Sequence, residues 1–203
     1  LLDVIQYRVY KPVTNARWNS EMDFWQLSVT FANSRNPFGA VLGFSHPVIH
    51  IYVDIDGRKG GSTKSFYPNT ELIRFDEKHP WDFFIHIDGH HQNGYISSYA
   101  QKIKKPVKVY FIKEKNTVYV RINLADKSLK QILDGRTTYH YVVVGPYDPF
   151  SEAHLMRAKK DTGKNNGGGA RSNFSPAIYD WVEPEGKDQK IVLSGYNASR
   201  KNY

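Results

Sequence analysis

The segment Phe24-Trp25-Gln26-Leu27-Ser28-Val29-Thr30-Phe31 alternates strictly. Trp25, Leu27, Val29 and Phe31 fall on one side of an extended chain, and Phe24, Gln26, Ser28 and Thr30 fall on the other. A period of two belongs to a β-strand with one face on a core and the other toward water. The same period recurs at residues 48–55, where Ile49, Ile51, Val53 and Ile55 share a side, and at residues 117–124, where Val118, Val120, Ile122 and Leu124 do. Less regular strand candidates lie at residues 4–10, 82–88, 95–101, 107–112 and 139–144. Turn chemistry separates these runs: Asn36-Pro37, Asp56-Gly57, Gly60-Gly61, Asp88-Gly89 and Gly145-Pro146. Lys115-Asn116, between two strand-like runs, reads as a hairpin.

Helical signal is sparse. Asp126 can cap a short helix in which Leu129, Ile132 and Leu133 share a face, with Gly135 as its stop. Another turn or two can follow Asp188. Many strands and one or two short helices predict an all-β antiparallel β-sandwich. Residues 159–171, KKDTGKNNGGGAR, hold four basic residues and four glycines and cannot bury apolar area, so they read as a mobile loop within a single domain spanning 1–203.

Composition bounds the chemistry. The chain has 203 residues, 40% of them apolar and 14% aromatic, which suffices for a sizeable core. The absence of cysteine excludes disulfides, thiolate metal sites and a thiol nucleophile. No run approaches the roughly 20 apolar residues of a transmembrane helix. The formal charge of +8 favours anionic partners such as acidic glycans or lipid headgroups. The cations are scattered and no nucleic-acid motif accompanies them, so nucleic acid is not an expected partner.

Motifs for catalysis are missing. There is no G-x-S-x-G elbow, no phosphate-binding loop and no paired carboxylates at glycosidase spacing, so a non-catalytic protein is expected. His86, Asp88, His90 and His91 have the composition of a metal site, but a strand ending in a polar turn explains them better. Asp54 and Asp56 share the side of a strand end and precede Gly57, where carboxylates and turn carbonyls suit calcium. Of the four tryptophans, Trp25, Trp81 and Trp181 read as packing residues. Trp18, in the polar stretch 15–20, reads as exposed and able to lie on a sugar ring.

Taken in order, Asn36-Pro37-Phe38-Gly39, Gly43-Phe44-Ser45-His46-Pro47, residues 51–57, Pro80-Trp81-Asp82-Phe83, Gly145-Pro146-Tyr147-Asp148-Pro149-Phe150, Gly167-Gly168-Gly169 and residues 178–186 resemble the C-terminal domain of glucodextranase, found also in pullulanase-type enzymes and surface proteins. The resemblance covers about residues 18 to 199. It implies an immunoglobulin-like or DOMON-like β-sandwich that acts as a carbohydrate-binding or cell-surface-attachment module, extracellular or on the cell surface. Its expected partners are a polysaccharide or cell-surface glycan and the other domains of a parent polypeptide. Trp18, His91, Tyr95 and Tyr147 are the ligand-binding candidates. Related DOMON-like domains hold haem b through Met with His or Lys; Met22 and Met156 are the available sulfurs here, and packing is their expected role, so haem is not expected. The alternatives are a structural subunit of a surface layer or filament and a haem electron-transfer domain. The chain departs from the family at Gly89-His90-His91, where Gly-Trp is usual, and in the basic loop at 159–171.

Overall fold

A computed structural model describes residues 4–10, 24–45, 47–55, 61–64, 75–99, 104–126, 129, 138–146 and 180–182. The strands are β1 (Val4–Tyr10), β2 (Phe24–Phe31), β3 (Pro47–Ile55), β4 (Phe83–Asp88), β5 (Asn93–Ser98), β6 (Lys104–Ile112), β7 (Thr117–Asn123), β8 (Thr138–Pro146) and β9 (Asp180–Val182). They form one antiparallel sheet in the order β1-β2-β7-β6-β5-β4-β3-β8-β9. β1 returns against β9, so the sheet is nearly closed around its apolar face. The all-β class expected from the alternation is the class observed, and the layers that face each other across the core belong to one continuous sheet.

The inner face follows the period-two reading. Trp25, Leu27, Val29 and Phe31 of β2 meet Ile49, Ile51, Val53 and Ile55 of β3, Ile85 and Ile87 of β4, and Val118, Val120 and Ile122 of β7 in one buried cluster. Burying each such aliphatic side chain is worth roughly 1.5–3 kcal/mol, and this cluster is the main source of stability. The β6–β7 hairpin closes through a 3-10 turn at Lys113–Lys115 and Asn116, whose φ of 47° suits an asparagine. Asn116 also donates its N–H to the Lys113 carbonyl, and its own carbonyl accepts from Phe31. Leu129 is buried and donates its N–H to the Asp126 carbonyl, as the first turn of the expected helix would; the rest of that helix, the turn after Asp188 and the loop at 159–171 lie outside the described residues.

The inner face also carries a polar side chain at His140. His140 of β8 sits among Tyr7, Trp25 and Thr138, 3% exposed. Burial pushes the Tyr7 hydroxyl well above its usual range, so it stays protonated and donates to His140 Nδ1. That assigns the proton to Nε2, which donates to Thr138 Oγ1 at 2.6 Å. Burial also lowers the His140 pKa to about 4.

Gly89, between β4 and β5, packs where no side chain fits. A Cβ there would come 1.5 Å from the Phe44 carbonyl oxygen, and the Gly89 carbonyl accepts the Leu42 N–H at 3.0 Å. Gly89→Ala must displace backbone, and we expect a loss of at least about 2 kcal/mol, measured as a lower midpoint in urea unfolding. A second expectation concerns pH. The unfolded chain takes up a proton on His140 near pH 6.5, while the folded chain resists until about pH 4. Stability is therefore complete above pH 6.5 and falls by about 3 kcal/mol between there and pH 4 from this residue alone. His140→Phe, measured over the same range, should flatten that part of the curve.

Candidate functional site

The alternation of β3 predicts an outer face open to water, yet every residue of the strand is buried. Its outer positions, His50, Tyr52 and Asp54, lie under a second layer. Phe75 and Trp81 cover Tyr52 at ring-centroid distances of 4.4 and 5.4 Å, and Phe84 of β4 lies 5.0 Å from it. Phe75 also meets Tyr141 of β8 at 4.7 Å. Backbone pairing holds this roof in place: Ser62 and Trp81 form a bridge, Phe75 donates its N–H to Thr63, and the Trp81 indole donates to the Lys64 carbonyl at 2.7 Å. Buried polar groups under such a roof must find partners inside the protein.

They find them in a directed chain. His50 and His86 stand opposite each other on β3 and β4. His50 Nε2 lies 2.9 Å from His86 Nδ1, and His86 Nε2 lies 3.0 Å from Asp88 Oδ2. Tyr52 Oη is 3.5 Å from His50 Nδ1, at the outer limit of a hydrogen bond. An ionised Asp88 accepts only, so His86 carries its proton on Nε2, accepts from His50 on Nδ1, and leaves His50 Nδ1 to accept from Tyr52. Asp88 takes three further donors: the N–H groups of His90 and His91 at 2.9 and 3.0 Å, and His91 Nδ1 at 2.8 Å. The carboxylate thereby folds the turn after β4, and His90 Nε2 ties that turn to the Ser45 carbonyl at 3.2 Å.

Charge follows from these contacts. Burial, and then the neighbouring His86, hold the His50 pKa well below its usual value, so His50 is neutral. Burial raises the Asp88 pKa, but the hydrogen bonds from His86 and His91 outweigh it and hold the carboxyl well below the ordinary carboxylate range. The chain of groups is thus neutral at its inner end and anionic at Asp88. It reaches water at His91, whose side chain is 57% exposed.

Tyr95 of β5 joins this corner. It stands opposite His86, and the two rings stack at 4.9 Å with planes 18° apart. Lys104 Nζ lies 4.0 Å over the same ring. With His86 stacked on its ring and the Lys104 ammonium over it, Tyr95 presents no open ring face.

Of the residues singled out in the sequence, His91 and Tyr95 are brought to one corner through Asp88 and His86. Trp18, Tyr147, Asp56, Met22 and Met156 lie outside the described residues. Asp54 is buried and paired with His79 Nδ1 at 3.1 Å, and His79 stacks on Tyr139 at 4.1 Å. Asp82 accepts the Ile55 N–H. Among the described residues no group of three or more His, Asp or Glu side chains is arranged to hold a metal ion. Trp25 and Trp81 are buried, as expected. The part played by His50 escaped the sequence reading; the signal was present as a histidine in phase with Tyr52 and Asp54 on a strand of otherwise apolar residues.

The relay thus runs from a neutral, buried His50 through an anionic Asp88 to an exposed imidazole at His91. The family described as the C-terminal binding module, SLH-like, of glucodextranase matches residues 12–203. The chain belongs to this family. Among curated proteins none matches. The family places this chain among binding modules, and the resemblance drawn from its turn motifs is upheld at that level.

Asp88→Asn tests the corner. An amide in this position turns a donor toward His86 or His91 and leaves a buried polar group unmatched, so we expect a loss of about 2–3 kcal/mol in chemical unfolding. The ring resonances of His86 and His91 should shift together in NMR spectra, while those of His140 stay in place.

Proposed function

We propose that this chain is a non-catalytic module that attaches its parent polypeptide to a polysaccharide or cell-surface glycan, outside the cell or on its surface. The observation that carries this reading is the corner at Asp88. A buried carboxylate with four N–H donors fixes an exposed imidazole, His91, and one of those donors, His86, stacks on a phenol, Tyr95, that lies under an ammonium, Lys104. Sugar hydroxyls need donors and acceptors at fixed positions, and groups ordered before binding lose little entropy on binding. Membership of a binding-module family supports the same reading. The absence of a catalytic motif in the sequence fits a role in attachment. The near closure of the sheet leaves little edge for strand addition, which weighs against assembly into a layer through edge strands.

Affinity gel electrophoresis through starch, pullulan, dextran and extracted cell-wall polysaccharide tests the proposal. The chain should be retarded by at least one of them. His91→Ala should weaken that retardation about 5- to 20-fold, the loss expected when one or two hydrogen bonds at a ligand are removed. Tyr95→Phe, which keeps the stack on His86 and removes only the hydroxyl, should weaken it less. Unchanged mobility of the parent chain in every gel would overturn the reading.

A further inference from the structure

Over β3, β4 and β8 the outer face of the sheet is roofed, whereas on β6 and β7 the outer side chains Lys108, Tyr110 and Arg121 are exposed. The strand registers place Asn93, Lys108, Arg121, Gln26 and Tyr10 in one row across β5, β6, β7, β2 and β1. At about 4.8 Å per strand the row is about 19 Å long. Lys108 and Arg121 are exposed and stand directly opposite each other, an arrangement of like charges that destabilises a sheet. No Asp or Glu occupies an outer position of these five strands among the described residues, and neither cation makes an ion pair there.

Arg121 is held ready for a ligand. Its Nε donates to Gln26 Oε1 at 2.8 Å, and its guanidinium carbon lies 4.7 Å from the Phe24 ring and 5.1 Å from the Tyr110 ring. This fixes the plane of the group and leaves its two terminal nitrogens without a protein partner among the described residues. A planar fork of this kind matches a carboxylate in bidentate fashion. Tyr110, 40% exposed, stands opposite Tyr119 one step along the strands, so aromatic surface adjoins the cations.

We propose that this row binds an acidic polysaccharide, a chain of sugar rings bearing carboxylates. Arg121 takes a carboxylate in its fork, Lys108 supplies the second charge, and Tyr110 packs on the apolar side of a ring. Asn93, Gln26 and Tyr10, which flank the two cations, carry amide and hydroxyl groups suited to sugar hydroxyls. A nucleic-acid track would call for cations along its whole length, and a membrane surface for protruding apolar groups; this row has neither. The inference rests on the glycan-attachment reading above and names its ligand class.

The test compares the chain on polygalacturonate, on neutral pullulan and dextran, on single-stranded DNA and on phosphatidylglycerol vesicles, each at low and physiological salt. Polygalacturonate should bind at least tenfold more tightly than any of the others, and its affinity should fall as salt rises. Lys108→Gln and Arg121→Gln should each weaken it about tenfold, with binding to neutral glycans unchanged. Lys108→Gln removes a like-charge contact, so its melting temperature should be no lower than the parent's, which separates lost binding from lost folding. Equal or tighter binding to DNA or vesicles, or full retention of polygalacturonate by both variants, overturns the proposal. Binding of neutral glycans alone overturns it and leaves the attachment reading standing; no binding to any glycan overturns both.

Discussion

β3 is buried on both faces, and the rest of the molecule is arranged around that constraint. Its inner residues belong to the main core, which is the ordinary fate of one side of an antiparallel strand. Its outer residues are an imidazole, a phenol and a carboxylate, and each needs a partner once water is excluded. The roof of Phe75 and Trp81 and the partners supplied by β4 are therefore one solution to one problem. The aromatic layer removes water, and the histidines, tyrosine and aspartates replace the hydrogen bonds that water would have made. Neither half is stable without the other, because an unroofed cluster would hydrate and a roof over unpaired groups would leave them unsatisfied.

Asp88 carries this buried network to the surface. A carboxylate at the end of β4 can accept from the strand behind it and from the turn ahead of it, and it does both through His86 and through the N–H groups of His90 and His91. The turn is then fixed from beneath, and Gly89 allows it to lie against the Phe44 carbonyl. The exposed imidazole of His91 inherits its position from a charge that water hardly touches. Placement of that kind is difficult on a free loop, whose ordering would have to be met on binding.

The inner face was legible in the sequence because its signal is local. Hydrophobic alternation at Phe24–Phe31 and residues 117–124 needs no knowledge of what lies across the core, and the hairpin at Asn116 is marked by its own turn chemistry. The outer face of β3 was misread for the same reason. His50, Tyr52 and Asp54 look solvent-facing beside Ile49, Ile51 and Val53, and only the return of residues 61–64 and 75–82 over the sheet buries them. His91 and Tyr95 were named from their residue types, whereas their relation through Asp88 and His86 depends on the β4–β5 register. The opposition of Lys108 and Arg121 was hidden likewise: thirteen positions separate them in the chain, and only the register of β6 against β7 sets them face to face.

The outer surface of this sheet thus serves two ends with the same geometry. Where residues 75–82 cover it, the outward positions hold histidine, tyrosine and aspartate, groups that can satisfy one another in the dark of the interior. Where nothing described covers it, they hold lysine, arginine, glutamine and exposed tyrosine, groups that meet the solvent with part of their hydrogen-bonding capacity unused. Tyr95 lies on the boundary, with a buried histidine stacked on its ring and a lysine ammonium over it. The boundary also separates two kinds of electrostatics. Asp88 is nearly surrounded by donors and projects little field beyond them, whereas Lys108 and Arg121 face each other without a carboxylate between them. A surface that keeps two cations together at a cost in stability is poised for an anion from outside, and the rigid sheet beneath fixes where that anion's charges must fall.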